Sequence, residues 1–406
     1  MKTHQIEMNS TGLAPLNGVV VLDLTQIYNG PYATFLMAQA GATIIKIEPP
    51  AGEHLRKRDR STGVVEPFAI LNSNKKSVVL NLRLPEARQA LLNMAKRADV
   101  IVENFAPGVM ERLGLGHETL RDANPRLIIA SSSGYGSTGP YRDYPAMDLT
   151  VQAMSGVMSI TGEPDGPPLK AGPALCDFFA GVHLYGAIVT ALYERAVTGK
   201  ARTVEVSMLS AVYPSLLSSL GLHRLGDRSC KRTGNRHGGL TMAPYNVYPT
   251  SDGAIAILTA NDSHWTALTK ALGCEDWQTD LRFRTKSVRI VNMDALDQAL
   301  GERTRLFSKE DLFALLMRYR VPCAPVRELD EVVNDPHLHQ TGMLHWQQHP
   351  QYGEVLAHGS PLVFQDHEAP KYQPSRVLGA DTQEILSSLG GLSADEIKAL
   401  NPRSMT

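Results

Sequence analysis

The sequence has few of the features that mark metalloproteins, disulfide-rich proteins or nucleic-acid-binding proteins. Among its 406 residues are only four cysteines, Cys176, Cys230, Cys274 and Cys323, and their spacing is not that of a metal site. A chain of this size does not depend on disulfides, so we expect free thiols and no metal. The 40 basic and 41 acidic residues give a net charge of −1, which favours neither nucleic acid nor a membrane as a partner.

Common phosphate-binding and targeting motifs are also missing. No Gly-x-Gly-x-x-Gly follows the first predicted strand, and no Gly-Lys-Ser/Thr loop occurs, which argues against nicotinamide dinucleotides and nucleoside triphosphates as the main ligand. No apolar run reaches membrane-spanning length without polar or charged interruptions, and residues 1–13 are too polar for a secretory signal. We therefore expect a cytoplasmic protein.

The first third of the chain has the pattern of an α/β fold. β-rich segments alternate with helical ones, which is typical of a parallel sheet with crossover helices. Most of the predicted strands are nearly continuous apolar runs, as expected for strands covered on both faces. They span residues 19–24, 43–47, 77–82, 100–103 and 127–131. Residues 85–98 carry apolar side chains at helical spacing between two of them.

A break rich in Arg, Lys, His and Gly interrupts the apolar pattern at residues 222–239. We predict a Rossmann-like large domain over residues 1–221, a smaller α+β domain over 222–330, and a return segment, 331–406, that completes the large domain. The small domain should contain a hairpin within residues 245–260 and helices near 263–272 and 309–319. Two short helices are predicted at residues 381–389 and 393–400.

Asp177 stands at the first turn of a long helix, residues 178–197, which is apolar on nearly every face and therefore predicted to be buried. Asp is a favoured N-cap, and its charge suits the positive end of the helix dipole. A carboxylate at the mouth of a buried helix can also serve as a covalent nucleophile. The neighbouring Cys176 is better explained as a small core residue.

Ligands of such sheets bind beyond the carboxyl ends of the strands, so the loops that follow the strands are candidate binding segments. Gly30 and Pro31 open a helix directly after the first strand and leave backbone N–H groups exposed to an oxygen ligand. A cluster of cationic residues also follows these strands. Its side chains are either solvated in a loop or bind an anionic ligand. The cluster comprises Arg56, Lys57, Arg58, Arg60, Lys75 and Lys76.

Several ordered segments resemble class III CoA-transferases, the family of formyl-CoA and carnitine CoA-transferases. They include LNGVVVLD at residues 16–23, GATIIKIE at 41–48, ADVIVENF at 98–105 and GYG at 134–136. Further similar segments lie at residues 74–77, 124–130, 321–326 and 378–386. The resemblance covers almost the whole chain.

This resemblance implies that Asp177 is the catalytic aspartate. It also implies contacts to CoA from Tyr28, Asn29, Leu80, Arg83, Asn104, Phe105 and Arg112. Gly238 and Gly239 would belong to a mobile loop whose N–H groups stabilise oxyanions. The implied assembly is an interlocked homodimer, and the CoA thioester would be a substrate rather than a permanently bound cofactor.

The implied activity is transfer of CoA from an acyl-CoA to a small carboxylic acid through an aspartyl anhydride and an aspartyl-CoA thioester. Only two glycines stand where formyl-CoA transferases have a longer run, which argues against oxalate as acceptor. The arginines at positions 56, 58 and 60 favour a dicarboxylate such as succinate. Two alternatives stay open: an acyl-CoA racemase or isomerase, and a non-catalytic CoA-ester binding protein in which Asp177 only caps its helix. Racemases of this fold pair the aspartate with a His, whose position is Met147 here, and a thioether cannot exchange protons.

Overall fold

The computed structural model describes residues 14–57, 64–225, 232–365 and 370–400. The chain forms two compact units, the first comprising Met1–Val151, Pro173–Val212 and Asp335–Thr406, and the second Gln152–Gly172 and Tyr213–Asn334. The second unit therefore starts before the predicted boundary at residue 222. The helix that follows Val212 belongs to it, so the polar break lies inside this unit rather than at its edge.

The elements are numbered in chain order. The strands are β1 Val20–Asp23, β2 Thr43–Glu48, β3 Lys75–Val79, β4 Val100–Glu103, β5 Ile128–Ser133, β6 Thr203–Ser207, β7 Tyr245–Pro249, β8 Ala254–Leu258, β9 Cys323–Pro325, β10 Leu344–His349 and β11 Gly353–His358. The helices are α1 Asn29–Gln39, α2 Glu66–Leu71, α3 Pro85–Ala95, α4 Val109–Arg112, α5 His117–Ala123, α6 Asp148–Ser155, α7 Val157–Ile160, α8 Leu175–Thr198, α9 Met208–Val212, α10 Leu217–Arg224, α11 Asp262–Ala271, α12 Lys286–Val291, α13 Met293–Thr304, α14 Lys309–Arg318, α15 Leu329–Val333, α16 Pro336–Gln340, α17 Thr382–Ser388 and α18 Ala394–Leu400.

The first unit is built on a six-stranded parallel sheet of order β3-β2-β1-β4-β5-β6. This is the doubly wound Rossmann order, in which the direction of strand addition reverses between β1 and β4. The five predicted strands are present, which confirms the predicted α/β class. The sixth, β6, was not predicted from the sequence.

Both faces of this sheet are covered by helices. The side chain of Leu22 points into a core with α3, α5, α17 and α18, whereas that of Val21 packs against α1 and α8. Successive residues of a strand face opposite sides of the sheet. Two apolar layers therefore enclose the strands, which explains their nearly continuous apolar sequences.

The long helix α8 has one buried face, not the all-round burial predicted. Its buried residues recur at helical spacing and include Ala180, Leu184 and Ile188, whereas Tyr193 is 72% and Val197 67% exposed. By length and composition alone, it is the one helix in the described part of the chain that could cross a membrane, although we expected no run of that length. Its buried face packs against α1, α9, β5 and β6.

The return segment covers the outer edge of β3. The backbone N–H of Ser77 donates to Asp381 Oδ2 at 2.9 Å, and that of Val79 donates to Thr382 Oγ1 at 3.0 Å. An edge strand otherwise presents a row of unpaired donors that other chains can bind. The C-terminal residues thus protect this edge.

The second unit contains the antiparallel sheet β7-β8-β9 and helices around a separate apolar core. The hairpin β7–β8 and the helices α11 and α14 confirm three sequence predictions. In the first unit, the hairpin β10–β11 was not predicted.

Candidate active site

Asp177 is the third residue of α8 and is only 9% exposed. It lines a cavity of about 280 Å³ at the carboxyl ends of β1, β4 and β5, the place where the strand order reverses. The other residues of its wall are Gln26, Ile27, Asn29, Asn104, Phe105, Ser132, Ser133, Gly134, Ala146, Met147 and Met208. The carboxyl group is thus neither sealed in the core nor turned to bulk solvent, and a ligand at the sheet edge can reach it.

The helix α8 is capped by Asp148, the first residue of α6. Its Oδ1 accepts the backbone N–H of Cys176 at 2.8 Å and that of Asp177 at 3.3 Å. The N-cap position itself is Ala174, which makes no side-chain cap. The interpretation of Asp177 as the capping residue is therefore wrong, and within the described ranges its carboxylate accepts no hydrogen bond.

Burial raises the pKa of Asp177, and the neighbouring charge of Asp148 raises it further, from an ordinary 3.8 to about 7. The positive end of the α8 dipole acts in the opposite direction, but burial and like charge prevail. A poorly solvated carboxylate is a stronger nucleophile than one in water, and strongly shifted carboxyl groups in clefts are typical of functional sites.

The thiol of Cys176 is unsuited to nucleophilic attack. The residue is fully buried, and burial, with the charges of Asp148 and Asp177, raises its pKa to about 12. Its thiolate is therefore scarce at neutral pH. Cys176, Cys274 and Cys323 are free cysteines, whereas Cys230 lies outside the described residues.

The loop between β1 and α1 brings Asn29 to the cavity wall, and its neighbour Tyr28 lies outside the wall that the described residues form. Asn29 begins α1 and lines the cavity, and the ring of Tyr28 stacks on that of Phe178 with centroids 5.8 Å apart. A Cβ on Gly181 would lie 2.6 Å from the carbonyl oxygen of Asn29. Glycine at this position of α8 therefore lets α1 approach closely enough for Asn29 and Asp177 to share one cavity.

Asn104 joins the loops that follow β1 and β4. Its Oδ1 accepts the N–H of Gln26 at 2.8 Å, and its Nδ2 donates to the carbonyl of Gln26, also at 2.8 Å. The side chain predicted to contact CoA thus mainly fixes the loop that carries Tyr28 and Asn29. Phe105 is partly buried and lines the same cavity.

The other predicted contact residues lie at the same edge of the sheet but outside this cavity. Leu80 is 1% exposed and belongs to the core, so its side chain is not available to a ligand. Arg83 follows β3 and Arg112 ends α4, and both are exposed. The cavity wall, as far as the described residues define it, includes neither.

Most of the described cations in the predicted cluster are committed to carboxylates of the protein. Arg56 pairs with Glu48 at 2.6 Å, and its guanidinium stacks over a phenylalanine ring. Lys75 is buried against Asp23 at 3.0 Å, and Lys76 pairs with Glu384 at 2.6 Å. Arg58 and Arg60 lie outside the described residues. Arg56 and Lys75 therefore neutralise buried acids, contrary to the ligand-binding interpretation.

Gly238 and Gly239 lie in the second unit, in a turn anchored by Arg236, whose Nε donates to Asp297 at 2.7 Å. The N–H of Gly239 donates to His237 Nδ1 at 3.2 Å. This donor is therefore engaged within its own turn.

Met147, the position at which related racemases carry a His, is 61% exposed and lines the cavity with Asp177. The position is thus part of the site, but its thioether cannot accept or donate a proton. No imidazole belongs to the cavity wall in the described part of the chain.

Comparison with known proteins identifies relatives along the whole chain. The family model for CoA-transferase family III matches residues 16–382. The acetyl-CoA:oxalate CoA-transferase of Acetobacter aceti is 38% identical over 363 residues, 89% of this chain and 92% of that protein. The succinyl-CoA:mesaconate CoA-transferase of Haloarcula marismortui is 36% identical over 389 residues, with coverages of 93% and 97%. A crystal structure of a CAIB/BAIF family protein from Brucella suis superposes with a TM-score of 0.83 at 33% identity, covering 93% of this chain and 99% of that one.

Proposed function

The chain belongs to CoA-transferase family III and is a CoA-transferase, and we propose that Asp177 is the covalent nucleophile of this enzyme. The observation that carries the proposal is the placement of one poorly solvated carboxylate in a cavity at the switch point of the sheet. Switch points are where doubly wound folds bind their ligands.

The proposed reaction begins when a carboxylate oxygen of Asp177 attacks the thioester carbonyl of the donor. The C–S bond breaks, CoA leaves as a thiolate, and an aspartyl-acyl anhydride remains. The thiolate then attacks the carbonyl of Asp177, which releases the donor acid and leaves an aspartyl-CoA thioester. The acceptor carboxylate attacks this thioester and forms a second anhydride. The freed thiolate attacks its acyl carbonyl, which yields the new acyl-CoA and regenerates Asp177.

Each of these intermediates is hydrolysed if water reaches it, so the site must exclude water. The low exposure of Asp177 supports this requirement. Oxyanions would be stabilised by backbone N–H groups at the start of α1, where those of Tyr28, Asn29 and Gly30 have no acceptor in the described ranges.

CoA would reach Asp177 along the carboxyl edge of the sheet. Asn29 and Phe105, which line the cavity, and Tyr28, which stacks on Phe178 next to Asp177, would contact the thioester end. Arg83 and Arg112 offer exposed cations for the phosphates. Leu80 could contribute only through its backbone. The CoA thioester is a substrate in this proposal, with no permanently bound cofactor.

We also propose a homodimer. Exposed apolar side chains on two helices support it, because monomeric surfaces seldom show many large apolar residues. These residues include Val182, Tyr193 and Val197 on α8, and Leu217 and Leu220 on α10. Light scattering coupled to size-exclusion chromatography tests it, and a monomer at micromolar concentration would contradict it.

The acids exchanged are proposed to be small carboxylic acids, with dicarboxylates included because relatives are named for oxalate and for succinyl-CoA with mesaconate. The pairing of Arg56 with Glu48 removes one residue that had favoured a dicarboxylate. A screen of succinyl-CoA and acetyl-CoA against mono- and dicarboxylate acceptors, including oxalate, measures this preference. A strict preference for uncharged acyl groups would refute the dicarboxylate assignment.

The nucleophile is tested with Asp177→Ala. This variant should lose turnover but still bind CoA in calorimetry. In the wild type incubated with acyl-CoA, hydroxylamine should attack the activated carbonyl of Asp177, displace the donor acid or CoA, and leave an aspartyl hydroxamate that mass spectrometry detects. No hydroxamate should form at this position in the variant. Near-normal transfer by Asp177→Ala would refute the proposal.

The racemase alternative would require proton exchange at the α-carbon without an acceptor acid. Incubation with acyl-CoA in deuterated water would reveal it, and the thioether of Met147 in the cavity wall argues against it. The non-catalytic alternative loses its main support, because Asp148 rather than Asp177 caps α8.

A further inference from the structure

Three successive backbone N–H groups between β1 and α1 are held by side chains. The N–H of Thr25 donates to Asp23 Oδ1 at 2.9 Å, that of Gln26 to Asn104 Oδ1 at 2.8 Å, and that of Ile27 to Glu53 Oε2 at 3.1 Å. The next three N–H groups, of residues 28–30, have no acceptor in the described ranges. The loop is therefore fixed residue by residue up to the three free donors, and Asn29, the middle one, belongs to the cavity wall.

Ile27, the last of the held residues, has an unusual backbone conformation. Its φ of +66° lies in the left-handed region, which β-branched residues avoid because their Cβ meets the neighbouring carbonyl oxygen. Such a conformation persists only where the surroundings hold it, and it is frequent at functional sites. Ile27 lines the cavity with Asp177, so the conformation lies at the proposed site of reaction.

Glu53 accepts the backbone N–H of this left-handed residue. It is only 2% exposed, and its second oxygen, Oε1, accepts the N–H of Leu55 at 3.2 Å. Its own N–H donates at 3.3 Å to Glu48, the partner of Arg56. Hydrogen bonds to a charged acceptor are stronger than neutral ones. Glu53 itself does not belong to the described cavity wall, so it is placed to act through Ile27.

We propose that Glu53 is a positioning residue of the CoA transfer reaction, holding Ile27 in the left-handed conformation so that the N–H groups of Tyr28 and Asn29 face the reacting carbonyl. This inference rests on the proposed function of the site. Asn104 fixes the loop before Ile27, at Gln26. When Glu53 releases Ile27, the relaxation to negative φ therefore turns the residues that follow, which carry the proposed oxyanion donors.

The experiment compares Glu53→Gln, Ile27→Gly and the double variant, with kcat and KM for acyl-CoA and the thermal midpoint measured for each. Glutamine keeps one neutral acceptor, so the protein should fold while the hold on Ile27 weakens. Loss of an oxyanion donor costs roughly 100- to 1,000-fold in kcat, and a misdirected donor should cost part of this, roughly 3- to 30-fold, with KM within about threefold. Glycine adopts the left-handed region without strain, so in the Ile27→Gly background Glu53→Gln should cost less than about twofold in kcat.

Asp99→Asn is the matched control. Asp99 Oδ2 likewise accepts a backbone N–H of β1, that of Val20 at 2.9 Å, and pairs with Arg195 at 2.7 Å, but at the amino end of the strand. This variant should lower the thermal midpoint and leave kcat per folded enzyme unchanged. A purely structural role for Glu53 would make the two variants behave alike.

The proposal is supported if kcat falls in Glu53→Gln, the loss shrinks in the Ile27→Gly background, and Asp99→Asn retains normal kcat. It is overturned if Glu53→Gln transfers CoA at the wild-type rate, if its loss is the same in both backgrounds, or if Asp99→Asn loses as much kcat. A wild-type protein with no transfer activity toward any acyl-CoA would instead refute the proposed function. That result differs from one in which the wild type transfers CoA and Glu53→Gln does so equally well, which would refute only the role of Glu53.

Discussion

Replacing Asp148 with Asn should shift the pH dependence of CoA transfer. The Asn side chain retains an oxygen that can accept the N–H groups of Cys176 and Asp177, now received at 2.8 and 3.3 Å, but it removes the negative charge. A like charge nearby disfavours ionisation, so its removal lowers the pKa of Asp177. Because the ionised form is the proposed nucleophile, the rise of activity with pH should begin at lower pH.

The structure bounds the size of this shift. The pKa of Asp177 rises from 3.8 to about 7, with burial as the larger cause and Asp148 as the second. Asp148 therefore accounts for less than half of the rise in pKa. We expect the pH at which activity rises to fall by about 0.5 to 1.5 units in the variant. At pH 6, where most wild-type Asp177 is protonated, kcat/KM should rise by about 3- to 10-fold.

The assay measures kcat/KM for acyl-CoA from pH 5 to 9 at constant ionic strength, because this ratio reports ionisation in the free enzyme. The matched control is Asp143→Asn, which removes a carboxylate from the preceding loop whose side chain is 84% exposed. It should leave the profile unchanged. A limb in Asp148→Asn that stays near pH 7 or moves upward would refute the reasoning about charge at this site.

Three further predictions concern α8. Asp177→Asn should stabilise the protein at pH 8 by up to about 4 kcal/mol, because a carboxyl group with a raised folded-state pKa destabilises the fold as pH rises from 3.8 to about 7. The calorimetric midpoints of variant and wild type should converge toward pH 4. A difference that stays constant with pH would contradict this. Cys176→Ala should retain transfer activity, because the Cys176 thiol is buried and has a pKa of about 12. Complete loss of turnover in a folded variant would indicate that the thiol is the nucleophile. Gly181→Ala should lower the free energy of unfolding by about 1–3 kcal/mol in denaturant titrations and also lower activity, because its Cβ would lie 2.6 Å from the carbonyl oxygen of Asn29. The control is Gly186→Ala, since Gly186 has open space around it. Equal behaviour of the two variants would count against close packing of α1 and α8.

The fold could be predicted from the sequence where a helix or strand has apolar residues along one face or along both faces. The strands β1, β2 and β4 are apolar runs, and each was predicted to within one or two residues. The strand β6 was missed because it lies at the sheet edge, with alternate residues exposed, and its short Thr-Val-Glu-Val-Ser sequence resembles a loop. The predicted start of β3 was late because Lys75, a cation, is buried there against Asp23.

The site could be predicted only as far as it depends on strand ends and on one helix start. Asp177 lines a cavity at the carboxyl edge of the sheet, the edge at which the sequence predicted ligand binding. The capping function of Asp148 was not foreseen, because nothing in its sequence neighbourhood shows that it points at another helix. The same limit explains Lys75, whose partner Asp23 lies at the end of β1, two strands away in the sheet. Which charged side chains pair depends on how the strands are ordered in the sheet, and a local sequence pattern does not contain this information.

The closure of β3 by residues of the return segment has a consequence for synthesis on the ribosome. The hydrogen bonds to Asp381 and Thr382 cannot form until these residues have emerged, the first of them 304 positions after Ser77 of β3. During translation the nascent sheet therefore carries an unprotected border, and a chain stopped before residue 381 would offer that border to other molecules as a template for aggregation.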